Sequence, residues 1–187
     1  MRDPSWLLSS SSDPRALAVV DGTGVHDGAG PHYSRRTPGS RTFTGVGQEV
    51  VLVTADGTAV WAVVRQRTPT ARGSGSSRGR GGATDGRPRF VWRNMLFRNL
   101  GPHRSSELIR SAHRRTIEGW VRRYGKIPPE TLRTEVDAAR IKSANPGYCY
   151  KVAGWTPIKR VGTKIYLAAP ALVDERGQLE LGFSGAA

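Results

Sequence analysis

Cysteine occurs once in this chain, at Cys149. An internal disulfide needs two, and a Cys-based zinc site needs more, so neither can frame the fold. Long apolar runs are missing too. None approaches the ~20 residues a bilayer span requires, and Ser5–Leu8 is too short and too weakly flanked for a secretory signal. No membrane partner is expected, and a soluble intracellular chain is the default. Acidic residues are scarce: 15 against 29 lysines and arginines, a net charge of +14. Such an excess points to a polyanionic partner, most simply nucleic acid; the plainer alternative is the codon bias of a GC-rich, basic proteome. The common hydrolytic signatures are also absent. The histidines, His26, His32, His103 and His113, include no i, i+4 pair, which excludes a zincin helix. There is no Gly-x-Ser-x-Gly elbow. Cys149 sits among aromatics, where packing is its expected role.

What is present suits one domain, since 187 residues can enclose a real core. Residues 1–30 read as a loosely ordered N-terminal segment around one apolar run, Ala16–Val20, a short strand or helix. Residues 31–187 read as a single domain. Residues 25–48, which span that boundary, carry His26, His32, Tyr33, Arg35, Arg36 and Arg41 among Gly and Pro, and form either a functional loop or a surface arm. Glu49–Thr54 and Thr58–Arg65 predict a hairpin over Ala55-Asp56-Gly57. Residues 69–88, rich in Arg and Gly, cannot bury apolar area and predict a mobile loop. Arg78 and Arg80 there could track a phosphate backbone; the alternative is a tolerated insertion. No Gly-Lys-Ser/Thr follows, so it is not a nucleotide-binding loop.

Phe90–Leu100 predicts a strand, Gly101-Pro102-His103 a turn, and Ser105 to about Tyr124 a helix. Ile109, Ala112, Thr116, Ile117, Trp120, Val121 and Tyr124 share one arc of that helix. Gly125 and Pro128-Pro129 end it. Leu132–Val136 predicts a short strand, parallel to the first. Thr156–Val161 and Lys164–Ala169 predict a second hairpin, and Leu179–Phe183 a last strand.

Three features carry chemistry. Arg98-Asn99-Leu-Gly101-Pro-His103 running into Ser105-Ser106 is a strand, a turn and a helix N-terminus, whose first amides and dipole favour an anion. Many helices begin this way. Thr134-Glu135-Val136-Asp137 leaves a strand where ligand crevices of open sheets lie, and Asp137 could orient or deprotonate an amine, or simply cap a turn. Tyr150-Lys-Val-Ala-Gly154-Trp155 reads as a helix end turning into a strand, with ring packing as the plain alternative.

Together these features resemble the GNAT superfamily of acyltransferases. Arg98-x-x-Gly101-x-His103 stands where that superfamily carries its pyrophosphate loop, with His103 replacing the usual small residue. Tyr150-x-x-x-Gly154-Trp155 resembles the segment that supplies a tyrosine general acid. More narrowly, His32-Tyr33-Ser-Arg35-Arg36, Phe97-Arg-Asn-x-Gly101, Ser105-Ser106-Glu-Leu-Ile109 and Pro146-Gly-Tyr148-Cys-Tyr150-x-x-Ala-Gly-Trp155 resemble the Mom-like branch found in phages. The resemblance implies an α/β (α+β) fold: a central mixed, twisted sheet, helices on both faces and a splayed parallel strand pair. It implies acetyl-coenzyme A, or another acyl-coenzyme A, with its pyrophosphate on Arg98, Asn99, Gly101, His103, Ser105 and Ser106. Tyr150 or Tyr148 would protonate the leaving thiolate, Asp137 would position the amine, and His32 and Tyr33 would line the acceptor side. Arg35, Arg36, Arg78 and Arg80 would meet DNA. In the phage proteins of this branch the product is a carbamoylmethylated adenine amino group that shields DNA from restriction. A base inside a duplex is out of reach, so flipping or single-stranded access is expected. The unusual carbamoylmethyl chemistry also makes His32 a candidate metal ligand. Phage or prophage origin and the cytoplasm of a bacterial host follow from the same resemblance. Two alternatives remain: an N-acetyltransferase for a small amine or peptide, and a non-enzymatic basic DNA-binding protein.

Overall fold

Residues 50–53 and 59–64 are nearly unbroken apolar runs, the pattern of strands covered on both faces. The computed structural model, which describes residues 5–23, 32, 40–68, 89–141 and 143–171, puts them at the centre of a seven-stranded mixed sheet. The elements in order are β1 (Trp6–Ser9), α1 (Pro14–Asp21), β2 (Gln48–Thr54), β3 (Ala59–Arg67), β4 (Phe90–Asn99), α2 (Ser105–Tyr124), β5 (Arg133–Asp137), a 3-10 turn (Ala138–Arg140), α3 (Tyr148–Val152), β6 (Thr156–Val161) and β7 (Lys164–Ala168). The sheet runs β1-β2-β3-β4-β5-β7-β6. Every neighbouring pair is antiparallel except β4 and β5, which are parallel. No helix among the described residues is long and apolar enough to cross a membrane.

Because side chains alternate along a strand, the two central strands feed two cores. Val50, Leu52, Ala59, Trp61 and Val63 pack with Leu108, Ile109, Ala112 and Trp120 of α2. Val51, Val60 and Ala62 pack with Ala16, Val19 and Val20 of α1. Helices therefore cover both faces, as the α+β reading expects. Polar anchors fix the long helix: the Trp61 indole N–H donates to Thr116 Oγ1 at 2.9 Å, and the Glu49 amide donates to the Tyr124 hydroxyl at 2.9 Å. Gly125, at φ 78°, ends α2 in the left-handed conformation that Gly takes without strain.

Of the segment 1–30, expected to be loose, the described residues 5–23 are part of the fold. β1 pairs with β2, and Trp6 is buried, its indole N–H donating to Ser111 Oγ of α2 at 2.9 Å. Residues 16–20 belong to a helix, not a strand. Asp13 caps it, accepting the Arg15 amide at 2.8 Å, and Pro14 opens it. The expected strand Leu179–Phe183 and the loop 69–88 lie outside the described residues.

His113 lies on the buried side of α2, its ring 5.8 Å from that of Trp155. Burial pushes its pKa from 6.5 down to about 4. The unfolded chain therefore binds a proton near pH 6.5 that the folded chain refuses until about pH 4. Stability should be full above 6.5 and should fall between those values, by roughly 3 kcal/mol from this group. Urea unfolding at several pH values checks this: His113→Leu should remove that share of the slope, and an unchanged slope would contradict it.

Candidate active site

Across β3 and β4, Ala62 faces Leu96 and Val63 faces Asn94, which leaves Met95 with no opposite residue. This is a β-bulge, and a bulge bends its strand. The parallel pairing of β4 with β5 covers only Arg93–Arg133 and Asn94–Thr134, and stops there. Past that point the two strands diverge around a cleft of about 370 Å³. Residues 94–97 form one wall, residues 134–136 the other, and Tyr148, Cys149 and Tyr150 at the start of α3 also line it.

Asn94 holds this arrangement. Its Nδ2 donates to the carbonyls of Ala62 and Leu96, both at 2.9 Å, on either side of the bulge. Its Oδ1 accepts the Tyr150 hydroxyl at 2.6 Å, and the Thr134 hydroxyl lies between that oxygen, at 3.3 Å, and the Asn94 main-chain carbonyl, at 3.2 Å. Both amide hydrogens are donated and the oxygen accepts a hydroxyl, so Asn94 is paired on both its polar atoms although only 2% exposed. The Tyr150 ring is wedged among Trp61, Phe97 and Trp155, with centroids 6.4, 6.2 and 5.2 Å away. Only its hydroxyl edge is polar, and that edge is pinned at the cleft.

Three further side chains set the electrostatics. His32 lines the cleft, and burial, with the nearby Arg98 charge, pushes its pKa down to about 4. It is therefore neutral at neutral pH, with a nitrogen able to accept a proton. Glu135 lines the opposite wall and is held by Lys164 Nζ at 2.7 Å. Cys149 is half-buried, and burial pushes its thiol pKa up, the opposite of what a thiolate nucleophile needs. Among the described residues, no three His, Cys, Asp or Glu side chains gather into a metal-holding group.

The structure brings some of the sequence-predicted residues together and separates others. Tyr150, Tyr148 and His32 meet at the cleft. Asp137 is not on its walls: its Oδ1 accepts the Ala139 amide at 3.1 Å, and Oδ2 lies 3.5 Å from Arg140, so it caps the 3-10 turn. The turn after β4 is organised differently from a pyrophosphate loop built on an arginine. Arg98 Nη1 donates to the carbonyls of Val19 and Val20, both at 3.0 Å, at the C-terminal end of α1. Asn99 is internal to the turn, donating to the His103 carbonyl at 2.7 Å and to Ser105 Oγ at 3.2 Å while accepting the Gly101 amide at 3.0 Å. Gly101 is needed for close approach, since a Cβ there would lie 2.7 Å from Thr58 Cβ. His103 Nε2 lies 3.2 Å from Asp56 Oδ2 and ties the turn to the β2–β3 connection. What stays open is the helix end itself: Arg104, the N-cap, makes no side-chain cap, and the Ser105 and Ser106 amides are unpartnered among the described residues. Tyr33, Arg35, Arg36, Arg78 and Arg80 lie outside the described residues.

Sequence reasoning missed Asn94; it placed the Thr134–Asp137 segment at the crevice but gave the role there to Asp137, where the structure puts Thr134 and Glu135 on the wall. A signal for the bulge was present. Trp92 and Phe97 are five apart, yet both pack on the α2 side, which a regular strand of period two forbids.

No protein-family model matches this chain, and no curated protein matches it. Among solved structures, one described as a bacterial toxin is 12% identical over 89% of this chain and 90% of its own, with a TM-score of 0.45. Another, AtaTR bound with AcCoA, is 9% identical over 64% of this chain and 70% of its own, with a TM-score of 0.38. At these values neither likeness carries an argument about function, which rests on the geometry of the cleft.

Asn94→Ala should strand the Ala62 and Leu96 carbonyls and the Tyr150 hydroxyl. The expected loss is about 2–4 kcal/mol, read from the shift of the urea midpoint. A loss below about 0.5 kcal/mol, the usual range of a surface change, would mean that this side chain does not hold the bulge.

Proposed function

We propose that this chain is an acyltransferase that takes an acyl group from coenzyme A and delivers it to an amino group of a DNA base, in the manner of the Mom-like branch it resembles. The observation that carries the reading is the cleft between two parallel strands that separate at Asn94 and Thr134, with the Tyr150 hydroxyl at its edge. A volume of about 370 Å³ suits a slender thioester arm and the edge of an acceptor, not a whole nucleotide cofactor. The pyrophosphate would then lie outside it, at the open end of α2, on the Ser105 and Ser106 amides and the helix dipole. Arg98, engaged by α1, contributes to the loop's position and not to the phosphate.

In this reaction the amine nitrogen attacks the thioester carbonyl, and the carbon–sulfur bond breaks. Tyr150 gives its proton to the leaving sulfur, its hydroxyl turning from Asn94 Oδ1 to do so. His32, neutral and at the cleft, accepts the proton the amine loses. An exocyclic base amine is a poor nucleophile, so placement and fixed dipoles must supply most of the acceleration. The net charge of +14 supports DNA as acceptor, because a small amine needs no such field.

Mass spectrometry of nucleosides from cells expressing the chain tests this directly. A mass-shifted deoxynucleoside, most simply deoxyadenosine, is expected in digested DNA, and it should vanish with Tyr150→Phe, which slows turnover by roughly 10²–10⁴-fold. Tyr150→Phe should stay folded, having lost one hydrogen bond. Unmodified DNA together with acylation of a small amine or peptide would favour the plain acetyltransferase.

A further inference from the structure

All six residues of β6 are exposed, including Ile158 and Val161, which are 44% and 58% exposed. Among the described residues β6 is the outermost strand of the sheet and pairs with β7 alone. Such an edge would invite another strand, but Pro157 removes one donor. A bulge at Ile158, between the pairs Pro157–Leu167 and Lys159–Tyr166, twists it further. The edge is thus built against pairing with protein.

Its charge is of one sign. Residues 156–164 hold Lys159, Arg160 and Lys164 and no acid. Lys164 is paired with Glu135, but neither Lys159 nor Arg160 has a carboxylate partner among the described residues. Lys159 lies over the Tyr166 ring at 4.5 Å. Arg160, the next residue, points to the opposite face, as alternation requires. Positive charge on both faces of a two-stranded ribbon fits a groove with a phosphate row on either side. A flat anionic surface would need it on one face only. The major groove, roughly 12 Å wide, admits such a ribbon.

The ribbon's position ties it to the cleft. Lys164 pairs with Asp137 at the C-terminal end of β5, and the Ala138 amide donates to the Thr163 carbonyl at 2.8 Å. The hairpin tip is therefore at the end of the sheet where β4 and β5 separate.

We infer that the β6–β7 hairpin is a duplex-DNA-binding wing, seated in a groove beside the cleft mouth with Lys159 and Arg160 on the flanking phosphates. This rests on the reading of the chain as a DNA-modifying acyltransferase and adds the surface that would hold the substrate.

The test is the salt dependence of binding to a labelled 20-base-pair duplex (a length of about two turns), read by fluorescence anisotropy. Lys159→Ala with Arg160→Ala should weaken binding about tenfold or more and lower the slope of log K against log salt by about 2. Lys159→Arg with Arg160→Lys should retain the slope. Arg114→Ala with Arg122→Ala, on the outer face of α2, removes the same charge elsewhere and should leave the slope nearly unchanged. Thermal unfolding and coenzyme A binding of the hairpin variant should match the wild type. A slope unchanged in the hairpin variant, or lowered equally in the α2 variant, would overturn the wing while leaving the acyltransferase reading intact. A wild-type chain that binds coenzyme A but no duplex at any salt would overturn the DNA acceptor and the wing together.

Discussion

The Asn94 side chain sits where an antiparallel neighbour, a parallel neighbour and a helix meet, and both its polar atoms are engaged. Its amide hydrogens close the bulge on β3 and β4; its oxygen receives Thr134 from β5 and Tyr150 from α3. In so dry a setting each of these groups would be costly to leave unpaired. The same residue therefore ends the parallel pairing, opens the cleft and fixes the Tyr150 hydroxyl at its edge. Core and site share one network, so a change that loosens the bulge must also move Tyr150.

Much of the scaffold was legible because it follows periodicity. The apolar arc of α2, the hairpin around Asp56-Gly57 and the parallel pairing of the strands flanking α2 come from local pattern, and the structure contains them. The rest depends on contacts between distant segments. β1 is four residues long, too short to show alternation, and is held by one tryptophan reaching Ser111, 105 residues away. Arg98 looked like a phosphate ligand because the turn after it fits that role, but the nearest negative partial charge is the carbonyl end of α1, 78 to 79 residues earlier. Asp137 looked catalytic because it ends a strand at a crevice, but local geometry makes it a cap first. Asn94 was passed over inside a strand read as regular from Phe90 to Leu100; its meaning appears only when the parity of Trp92 and Phe97 is compared.

The electrostatics divide between inside and outside. At the cleft the imidazole is neutral, the carboxylate is tied to a lysine, and the thiol is held protonated by burial. The excess positive charge lies outside, at helix surfaces and on the β6–β7 hairpin. The cleft thus holds its charges in pairs or suppressed, while the unpaired positive charge is at the surface. Such a site works through placement, which is why the bulge matters more than any one ionisable group.

The most direct test of this view is a crystal structure with coenzyme A bound. The pantetheine arm is expected between β4 beyond Asn94 and β5 beyond Thr134, with the thiol within hydrogen-bond reach of the Tyr150 hydroxyl and the pyrophosphate on the Ser105 and Ser106 amides. Coenzyme A found elsewhere on the surface, with the cleft between the separated strands empty, would contradict it.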